Sequence, residues 1–439
     1  MSYRRIYNQI GLAIGTCPAS GFHYLDFSGG YTNSIYSKIG NASGFSYNMV
    51  QPLTRIIDAG YSFTEPRVDV KSLGEYGTIA RPAITTPPIS LNFSYYLMGL
   101  INEARMGFLF NTYSGNNITN PLIYSQNVCP VSAFLDRTYT KNYTNSFTNI
   151  SGLNEYWLNN HRDCKNIFVA TNISNDDLNY APYINQTLNG STGKVLKDNI
   201  YVYAFGNAYL DSYKVTAAVG NFPMASVQYT CYNVMFQSGG SGNNIPSVNS
   251  SDFTLKTGTY NLPPMYTGRQ ATVLLPGDIT LDITQTGNIT SITNLPVDFS
   301  DIKIQNFDLE LNLNREPLQN LGYKLPMDRR INPPIYANLS FNAIVGDLAT
   351  GSFIDFINQD IEYNVNINMR YSRSQQITGT AIKYQFLSAK FNSIQMQESI
   401  SDKRMVTCSL TSELNPNLTG RGFFMSGQLG ITEKNLPSY

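Results

Sequence analysis

The stretch that decides the fold is residues 307–341, which reads FDLELNLNREPLQNLGYKLPMDRRINPPIYANLSF. It opens with apolar residues at every second position, from Phe307 to Leu313, separated by Asp, Glu and Asn. Strict alternation of this kind predicts a β-strand with one buried and one exposed face. A turn-rich arm follows, and its Pro-Pro pair should stiffen the approach to the next strand.

The arm occurs twice in the chain. Two arginines lie on either side of a Leu-Gly pair, and every spacing between them is the same in both occurrences. The repeated residues are Arg67, Leu73, Gly74 and Arg81 in the first occurrence, and Arg315, Leu321, Gly322 and Arg329 in the second. We expect the two Leu-Gly turns to superpose. We also expect Gly74 and Gly322 to adopt a positive φ, which glycine tolerates best.

Two further blocks repeat in the same order. Pro87-Pro88 begins a nine-residue block that is identical at five positions to the block that begins with Pro333-Pro334. This alignment equates Phe93 with Leu339. The run from Phe205 to Tyr213 aligns without gaps with Phe386 to Ile394. Three ordered blocks predict a chain built from two copies of one domain, and such a chain is a natural part for a closed ring.

The two copies differ in length. From Pro88 to Phe205 the first copy is much longer than the second is from Pro334 to Phe386, so it carries an insertion at about 111–199. The insertion is rich in Asn, Thr, Ser, Tyr and Gly, which predicts a position outside the common sandwich. A Gly- and Ser-rich run predicts a flexible linker at 237–250. The predicted domains are therefore 1–236 and 251–439.

Alternation dominates the chain and helical patterns are few. The strand pattern recurs around Leu281, Val365 and Ile200–Phe205. A short helix is predicted at Tyr96–Ala104, with a counterpart within 342–357. The predicted fold class is mainly β: two tandem, related β-sandwich or barrel domains, each with one short flanking helix.

Composition narrows the function classes. The chain has 30 basic and 30 acidic residues, and only 14% of its residues are charged, which is unlike a basic nucleic-acid-binding protein. Its 31 Tyr and low charge favour contact with other proteins, although a monomer with uncharged polar surfaces remains an alternative. No apolar run is long enough for a membrane helix or a signal peptide. Five widely spaced Cys favour a reducing compartment.

Residue patterns for catalysis are absent. His161 and Cys164 lie three positions apart, but no second pair of metal ligands occurs. Neither a nucleotide-binding loop nor a nucleophile motif occurs. The carboxylate pairs Glu65 with Asp69 and Glu310 with Glu316 could serve a glycosidase, but strand alternation and turn chemistry explain both. We therefore expect no enzyme activity, no cofactor and no metal, and keep a β-rich hydrolase as a third alternative.

The arginines of the arms are the candidate functional residues. The planar donor fork of arginine suits a carboxylate across an interface or under a loop, so we interpret Arg67, Arg81, Arg315 and Arg329 as structural clamps at contacts between domains or between rings. On this interpretation, replacing Arg315 and Arg329 by Ala weakens polymerisation more than it lowers the melting temperature of the free subunit. The alternative is that they are exposed turn residues.

The run from Phe307 through Arg315, Leu321-Gly322 and Arg329 to Pro333-Pro334 resembles segments of the tail tube proteins of long-tailed bacteriophages. The resemblance is clearest over 300–410 and is repeated weakly over 55–110 and 200–235. It implies small β-sandwich domains that form six-domain rings, which stack into a tube around the genome. A duplicated chain then implies rings of three chains with pseudo-sixfold symmetry.

The resemblance also implies partners and a location. The chain would be a virion tail protein assembled in the host cytoplasm, without membrane insertion. It would contact tape measure, terminator and baseplate proteins, and DNA only in transit through the lumen. A tail hub or tube terminator with the same fold is one alternative, and a phage or surface adhesin that binds glycan or protein is another.

Overall fold

Antiparallel β-strands make up most of the chain that the structure, a computed structural model, describes. The described residues are 9–16, 51–108 (except 66, 75, 84–86 and 107), 111–112, 127–130, 165–172, 183–188, 191–196, 200–238, 246–247, 256–257, 274–285, 303–318, 321, 328–344, 361–371, 380–397, 405–414 and 421–427. The predicted mainly β fold is confirmed.

The strands of the first half are β1 (Gln9–Thr16), β2 (Gln51–Pro52), β3 (Ile56–Phe63), β4 (Ile89–Tyr96), β5 (Asn111–Thr112), β6 (Asn127–Pro130), β7 (Lys165–Asn172), β8 (Tyr183–Leu188), β9 (Ser191–Leu196), β10 (Ile200–Ala218), β11 (Met224–Cys231) and β12 (Asn233–Ser238). One α-helix, α1 (Ile101–Met106), follows β4. The strands of the second half are β13 (Pro246–Ser247), β14 (Lys256–Thr257), β15 (Ile279–Gln285), β16 (Lys303–Asn312), β17 (Arg315–Leu318), β18 (Asp328–Ile331), β19 (Tyr336–Ile344), β20 (Tyr363–Arg370), β21 (Thr380–Gln397), β22 (Met405–Glu413) and β23 (Gly422–Gly427). A short 3-10 helix, Pro276–Asp278, precedes β15.

Eight strands from both halves form one antiparallel sheet, which we call the wide sheet. Its order is β3–β4–β11–β10–β16–β19–β22–β21. Four strands come from the first half and four from the second. The halves meet where β10 pairs with β16, with Tyr213 opposite Leu311 and Val215 opposite Leu309. This contact, which we call the internal junction, is continuous strand pairing.

Two smaller sheets pack against the wide sheet. The first small sheet has the order β2–β1–β7–β10–β12, and the second has the order β15–β20–β21–β23–β6–β5. The long strands β10 and β21 each begin in a small sheet and end in the wide sheet. The apolar faces of all three sheets meet in one cluster of buried side chains. Burial of that apolar surface is the main favourable contribution to folding.

The two halves of the wide sheet share bulges as well as strand order. The pairing of β3 with β4 skips Ile57, and the pairing of β16 with β19 skips Gln305. The pairing of β10 with β11 skips Asp211, and the pairing of β21 with β22 skips Asn392. A bulge is a specific local feature that bends a strand and redirects its side chains. Both halves therefore carry the same irregularities at corresponding places.

The strand register changes one part of the sequence alignment. Phe93 faces Val227 and Phe341 faces Cys408, and Val227 and Cys408 hold corresponding places opposite β10 and β21. Phe93 therefore corresponds to Phe341, two residues from the Leu339 that the Pro-Pro alignment gives. The spacing from arm to strand is the same in both halves, from Arg81 to Phe93 and from Arg329 to Phe341, and the Pro-Pro pair lies two residues nearer to the strand in the first half.

The predicted insertion at 111–199 is partly wrong. Within it, β7 lies in the middle of the first small sheet between β1 and β10, and its side chains are largely buried. Another part of the segment, β6, pairs with β23 and so extends the second small sheet. Only the hairpin of β8 and β9 forms a separate sheet among the described residues of this segment. Apolar runs such as Ile167-Phe168-Val169 supply core even inside a polar segment.

Two other predictions agree with the structure only in part. The helix expected at Tyr96–Ala104 begins later, at Ile101, because β4 continues to Tyr96. Of the counterpart predicted within 342–357, the first three residues belong to β19, and the rest lies outside the described residues. The expected linker at 237–250 includes the end of β12 and all of β13, and its remaining residues also lie outside them.

Candidate assembly surfaces

The wide sheet ends in two strands that have a pairing partner on one side only. One is β3, which pairs with β4, and the other is the C-terminal half of β21, which pairs with β22. On their outer sides no strand of the described residues pairs with them. An unpaired edge presents backbone N–H and C=O groups that can pair with another chain. We call these two strands the β3 edge and the β21 edge.

The β3 edge carries exposed apolar side chains at positions that are buried in β16, the corresponding strand of the second half. Tyr61 is 42% exposed and Phe63 is 60% exposed. The corresponding residues of β16 are Leu309 and Leu311, which are fully buried where β10 covers them. The rings of Tyr61 and Phe205 lie 5.3 Å apart, so Tyr61 already points toward the core.

The β21 edge shows the same contrast with β10. Met396 is 40% exposed and Ile394 is half-buried. Their counterparts on β10, Val215 and Tyr213, are fully buried beside β16. Each outer edge of the wide sheet thus has the residue types of a strand with neighbours on both sides, although it has a neighbour on one side only.

The open face of the wide sheet is polar. Its side chains are mostly Ser, Thr, Asn and Gln, for example Asn92, Ser94, Thr216, Ser226, Gln228, Asn338, Ser340, Thr407 and Ser409. The carboxylates Asp58, Asp308, Glu310 and Glu413 and the lysines Lys214, Lys303 and Lys390 also lie on it. Lys214 Nζ is 3.7 Å from Asp308 Oδ1. Lys214 faces Glu310 while Lys303 lies at the other end of β16, and Lys390 is on β21, so the described lysines of this face form no cluster.

Both arms have the same backbone register. Arg67 pairs with Ala83 and Val70 with Ala80 in the first arm, residues 67–83. Arg315 pairs with Ile331 and Leu318 with Asp328 in the second arm, residues 315–331. Nη1 of Arg67 donates to the carbonyl of Arg81 over 3.3 Å, and Nη1 of Arg315 donates to that of Arg329 over 3.0 Å.

The tips of the arms are apolar and exposed. Leu73 and Tyr76 at the first tip and Leu321 at the second are fully exposed. Gly74 has φ +93°, which confirms the predicted positive φ, whereas Gly322 lies outside the described residues. Exposed apolar side chains at the end of a projecting arm are typical of a contact with another molecule.

The Pro-Pro pairs lie where the arms return to the wide sheet. Pro87-Pro88 directly precedes β4, and Pro333-Pro334 precedes β19 by one residue. Three of these prolines are exposed, and Pro87 is half-buried. Because proline has no N–H, the return segments donate no backbone hydrogen bond at these positions.

The arginines of the second arm clamp the internal junction. Arg315 is buried, and its Nε donates to the carbonyl of Leu210 over 2.7 Å. Nη1 of Arg329 donates to Oδ1 of Asp211 over 3.3 Å, and the two side chains are 14% and 18% exposed. Asp211 is the bulge residue of β10, and it also accepts a hydrogen bond from the Thr230 hydroxyl. Arg315 and Arg329 thus join the two halves of one chain.

The carboxyl of Asp211 depends on these neighbours. Burial raises its pKa, while the Thr230 hydroxyl and the charges of Arg329 and Arg315 act in the opposite direction. Removing either arginine would leave a partly buried carboxylate with less compensation, which is costly. Sequence reasoning aligned Asp211 with Asn392 but missed its role, because nothing in the sequence shows that β16 lies beside β10.

Among the described residues, the arginines of the first arm have only local partners. Arg67 Nη2 lies 2.7 Å from Glu65 Oε2, and Arg81 Nε donates to Asp69 Oδ1. All four side chains are substantially exposed. Glu65 and Asp69 are also the pair considered for a glycosidase, and each is instead paired with an arginine of its own arm.

A buried carboxyl lies in the core near the internal junction. Glu103 of α1 is fully buried, and its Oε1 accepts hydrogen bonds from the hydroxyls of Tyr95 and Tyr213 over 2.7 and 3.0 Å. The Tyr213 hydroxyl is 2.9 Å from that of Tyr384, which belongs to the second half. Oε2 of Glu103 has no hydrogen-bond partner among the described residues.

Burial raises the pKa of Glu103 to about 7, although the hydrogen bonds from Tyr95 and Tyr213 lower it. Burial and the nearby Glu103 raise the pKa of each of the three tyrosines well above its ordinary value. Chain-wide sequence patterns gave no sign of this cluster, since a single Glu in a short helix usually faces solvent.

Metal-site and membrane patterns do not occur in the described part of the chain. No group of three or more His, Cys, Asp or Glu residues lies close enough together there to hold a metal ion. No described helix is long and apolar enough to cross a membrane.

Comparison with known proteins gives little further information. No family model matches the sequence, and no curated protein matches it. Among solved structures, the chain is similar to one from the cryo-electron microscopy structure of the anti-feeding prophage baseplate, symmetrised six-fold, at 12% identity and a TM-score of 0.24. The match covers 37% of this chain and 98% of that one. A likeness at this TM-score supports no conclusion about function.

Proposed function

We propose that this chain is the tail tube subunit of a long-tailed bacteriophage, and that three copies close into a ring. The observation that carries the proposal is the pair of open edges of the wide sheet. Each edge matches a strand that is covered at the internal junction, so a β21 edge of one chain fits a β3 edge of the next. Repeated pairing of this kind ends only when a ring has closed.

The ring arithmetic rests on two copies of one domain, which we propose to be residues 1–236 and 251–439 joined by a linker at 237–250. The shared strand order, the shared bulges at Ile57 and Gln305, and the shared arm register support this division. Six such domains in a ring require three chains. Three wide sheets of eight strands would give a barrel of twenty-four strands.

The open face of the wide sheet is the proposed lumen wall. The buried face is already occupied by the core, so closure of the sheet leaves the polar face to line the interior. A wall rich in basic residues would bind passing DNA phosphates strongly. The scattered lysines and interspersed carboxylates of this face suit a conduit through which DNA slides.

The proposed setting is the virion tail, after assembly in the host cytoplasm and without membrane insertion. Rings would stack helically through the arms, and the ends of the tube would meet tape measure, terminator and baseplate proteins. DNA would be a partner only in transit. The function is mechanical, with no catalytic step and no cofactor.

Electron microscopy of the purified full chain tests the proposal. We expect hollow rings or tubes, and a mass of three chains for an isolated ring. Single rings that never stack would favour a hub or terminator role. Compact trimers with protruding knobs would favour an adhesin and would overturn the tube. A monomer that persists at high concentration would overturn ring formation altogether.

A further inference from the structure

The bulge of the internal junction has a counterpart at the β21 edge. Asp211 accepts a hydrogen bond from the Thr230 hydroxyl, and Asn392 accepts one from the Thr411 hydroxyl over 3.0 Å. The two bulges occur at the same step of the same strand pairing. The bulge that accepts hydrogen bonds from the arginines at Asp211 therefore has an equivalent at Asn392.

The donor of the clamp is also present twice. The arms share their register and the hydrogen bond from the first arginine to the carbonyl of the second, so Arg67 and Arg81 occupy the same backbone positions in their arm as Arg315 and Arg329 do. The second arm places its arginines on the bulge at Asp211. The first arm lies beside the β3 edge, at the opposite end of the wide sheet from Asn392.

We propose that the bulge at Phe391–Asn392 is a binding site for Arg67 and Arg81 of a second copy of this chain. The inference rests on the proposed function, because it places both residues at the contact between neighbouring chains of a ring. Arg67 would donate to the carbonyl of Phe391, as Arg315 donates to that of Leu210. Arg81 would donate to the amide oxygen of Asn392, which can accept a second hydrogen bond.

The same correspondence sets the strand register of the contact. At the internal junction Tyr213 faces Leu311 and Val215 faces Leu309. In the contact between chains, Ile394 therefore faces Phe63 and Met396 faces Tyr61. This register buries apolar residues that are now exposed or half-buried at both edges. A slip by one residue would turn them toward the polar face.

Glu65 and Asp69 act as temporary partners in this scheme. They hold Arg67 and Arg81 in the free chain, through pairs that are exposed to solvent. The corresponding positions of the second arm are Leu313 and Pro317, which cannot bind an arginine. Exposed ion pairs contribute little to stability, so the arginines can change partners at low cost when a second chain arrives.

The two clamps differ in one respect that affects assembly. The clamp within a chain has a carboxylate, Asp211, whereas the clamp between chains has an amide, Asn392. A charged acceptor gives the stronger hydrogen bond to arginine. The contact between chains is therefore the weaker of the two, and it is the one that opens when a ring dissociates.

Substitution at both partners tests the site. In sedimentation velocity, the full chain with Arg81→Ala should need about a tenfold higher concentration to form rings, and its monomer should melt at the same temperature. Lys71→Ala removes a charge from the same arm and is the matched control, with no expected effect. Asn392→Asp should lower the concentration needed for rings and make assembly more sensitive to salt.

The double variant decides whether the two residues meet. With Arg81→Ala, the gain from Asn392→Asp should disappear. If rings form and both single variants assemble like the unsubstituted chain, the arginine site is wrong while the tube proposal stands. If Asn392→Asp gives the same gain with and without Arg81, the gain has another origin and the site is also wrong. If the unsubstituted chain forms no ring, both proposals are overturned.

Discussion

Asn207 and Ser388 occupy the same place in the two halves of the chain. Each has a positive φ, of 51° and 54°, which is uncommon outside glycine. The backbone N–H of Asn207 donates to Oδ1 of Asn166, and that of Ser388 donates to Oδ1 of Asn364. Each lies at a bulge where a long strand leaves its small sheet for the wide sheet. The bends of β10 and β21, which connect each small sheet to the wide sheet, therefore have the same backbone conformation and the same kind of hydrogen bond.

The asparagine that holds the second bend should contribute to stability. Asn364→Ala removes the acceptor for the Ser388 N–H, which is partly buried, and we expect the free energy of unfolding to fall by about 1 kcal/mol. Chemical denaturation of the unassembled chain measures this change. Asn338→Ala, on the exposed face of the wide sheet, is the control and should change it by less than about 0.5 kcal/mol. Equal effects of the two would mean that Asn364 does not hold the bend.

The clamp of the internal junction should act on the monomer. Arg329→Ala leaves Asp211 partly buried without its ion pair, so we expect a loss of about 2 to 3 kcal/mol in the unassembled chain. This replaces the sequence-based expectation that Arg315 and Arg329 matter more for polymerisation than for monomer stability. Arg330→Ala, an exposed neighbour on the same strand, should be close to neutral. A monomer melting temperature unaffected by Arg329→Ala would contradict the clamp.

The buried carboxyl predicts a dependence of stability on pH. The folded chain raises the pKa of Glu103 from 4.5 to about 7, so it holds the proton more tightly than the unfolded chain does. Stability should therefore fall as pH rises from about 4.5 to 7, by roughly 3 kcal/mol, and then level off. Glu103→Gln should remove this slope in denaturation curves, whereas Glu310→Gln on the open face should keep it. A slope that persists in Glu103→Gln belongs to another group.

A cross-link between the edges should reveal the number of chains in a ring. Phe63→Cys with Ile394→Cys places two thiols opposite each other in the proposed register, at a Cβ separation of about 5 Å, from which small adjustments allow a disulfide. Mild oxidation should give a ladder on a denaturing gel that ends at a closed trimer. In the proposed register Met396 faces Tyr61, so Phe63→Cys with Met396→Cys places the two thiols diagonally and should cross-link poorly. A ladder that ends at six chains would contradict the pseudo-sixfold ring.

The apolar arm tips should hold one ring to the next. Leu73→Asp with Leu321→Asp replaces two fully exposed apolar side chains by charges, so the folded monomer should lose little stability. Electron microscopy should then show single rings in place of tubes. Val219→Asp, an exposed apolar position beyond the end of β10, is the control. Normal tubes from the double variant would remove the arms from the stacking contact.

Local patterns predicted the strands and the arms well. Alternation gave β15, β16 and β20, and the equal spacing of arginines gave two arms that share one register. The alignment of the Pro-Pro blocks was out by two residues, since sliding a strand by two leaves the same side chains on the same face. The equal spacing from Arg81 to Phe93 and from Arg329 to Phe341 gives the correct register, and the pairing with β11 and β22 agrees with it.

Long-range pairing could not be predicted from the sequence. The role of Asp211 depends on β16 lying beside β10, and its partner Arg329 is more than a hundred positions away along the chain. The buried position of Glu103 depends on tyrosines from three strands, one of them in the other half. Tyr95 is close to Glu103 along the chain, but Tyr213 is more than a hundred positions from both Glu103 and Tyr384, and contacts over such distances have no local signature.

Strand β6 has a consequence for the order in which the protein folds. It comes from the first half of the chain, but it pairs with β23, near the other end of the described residues. During synthesis β6 leaves the ribosome long before its partner exists, so its edge cannot be satisfied until almost the whole chain has emerged. Contacts between residues so far apart also slow folding. The second small sheet is therefore completed last, around a strand that was made early.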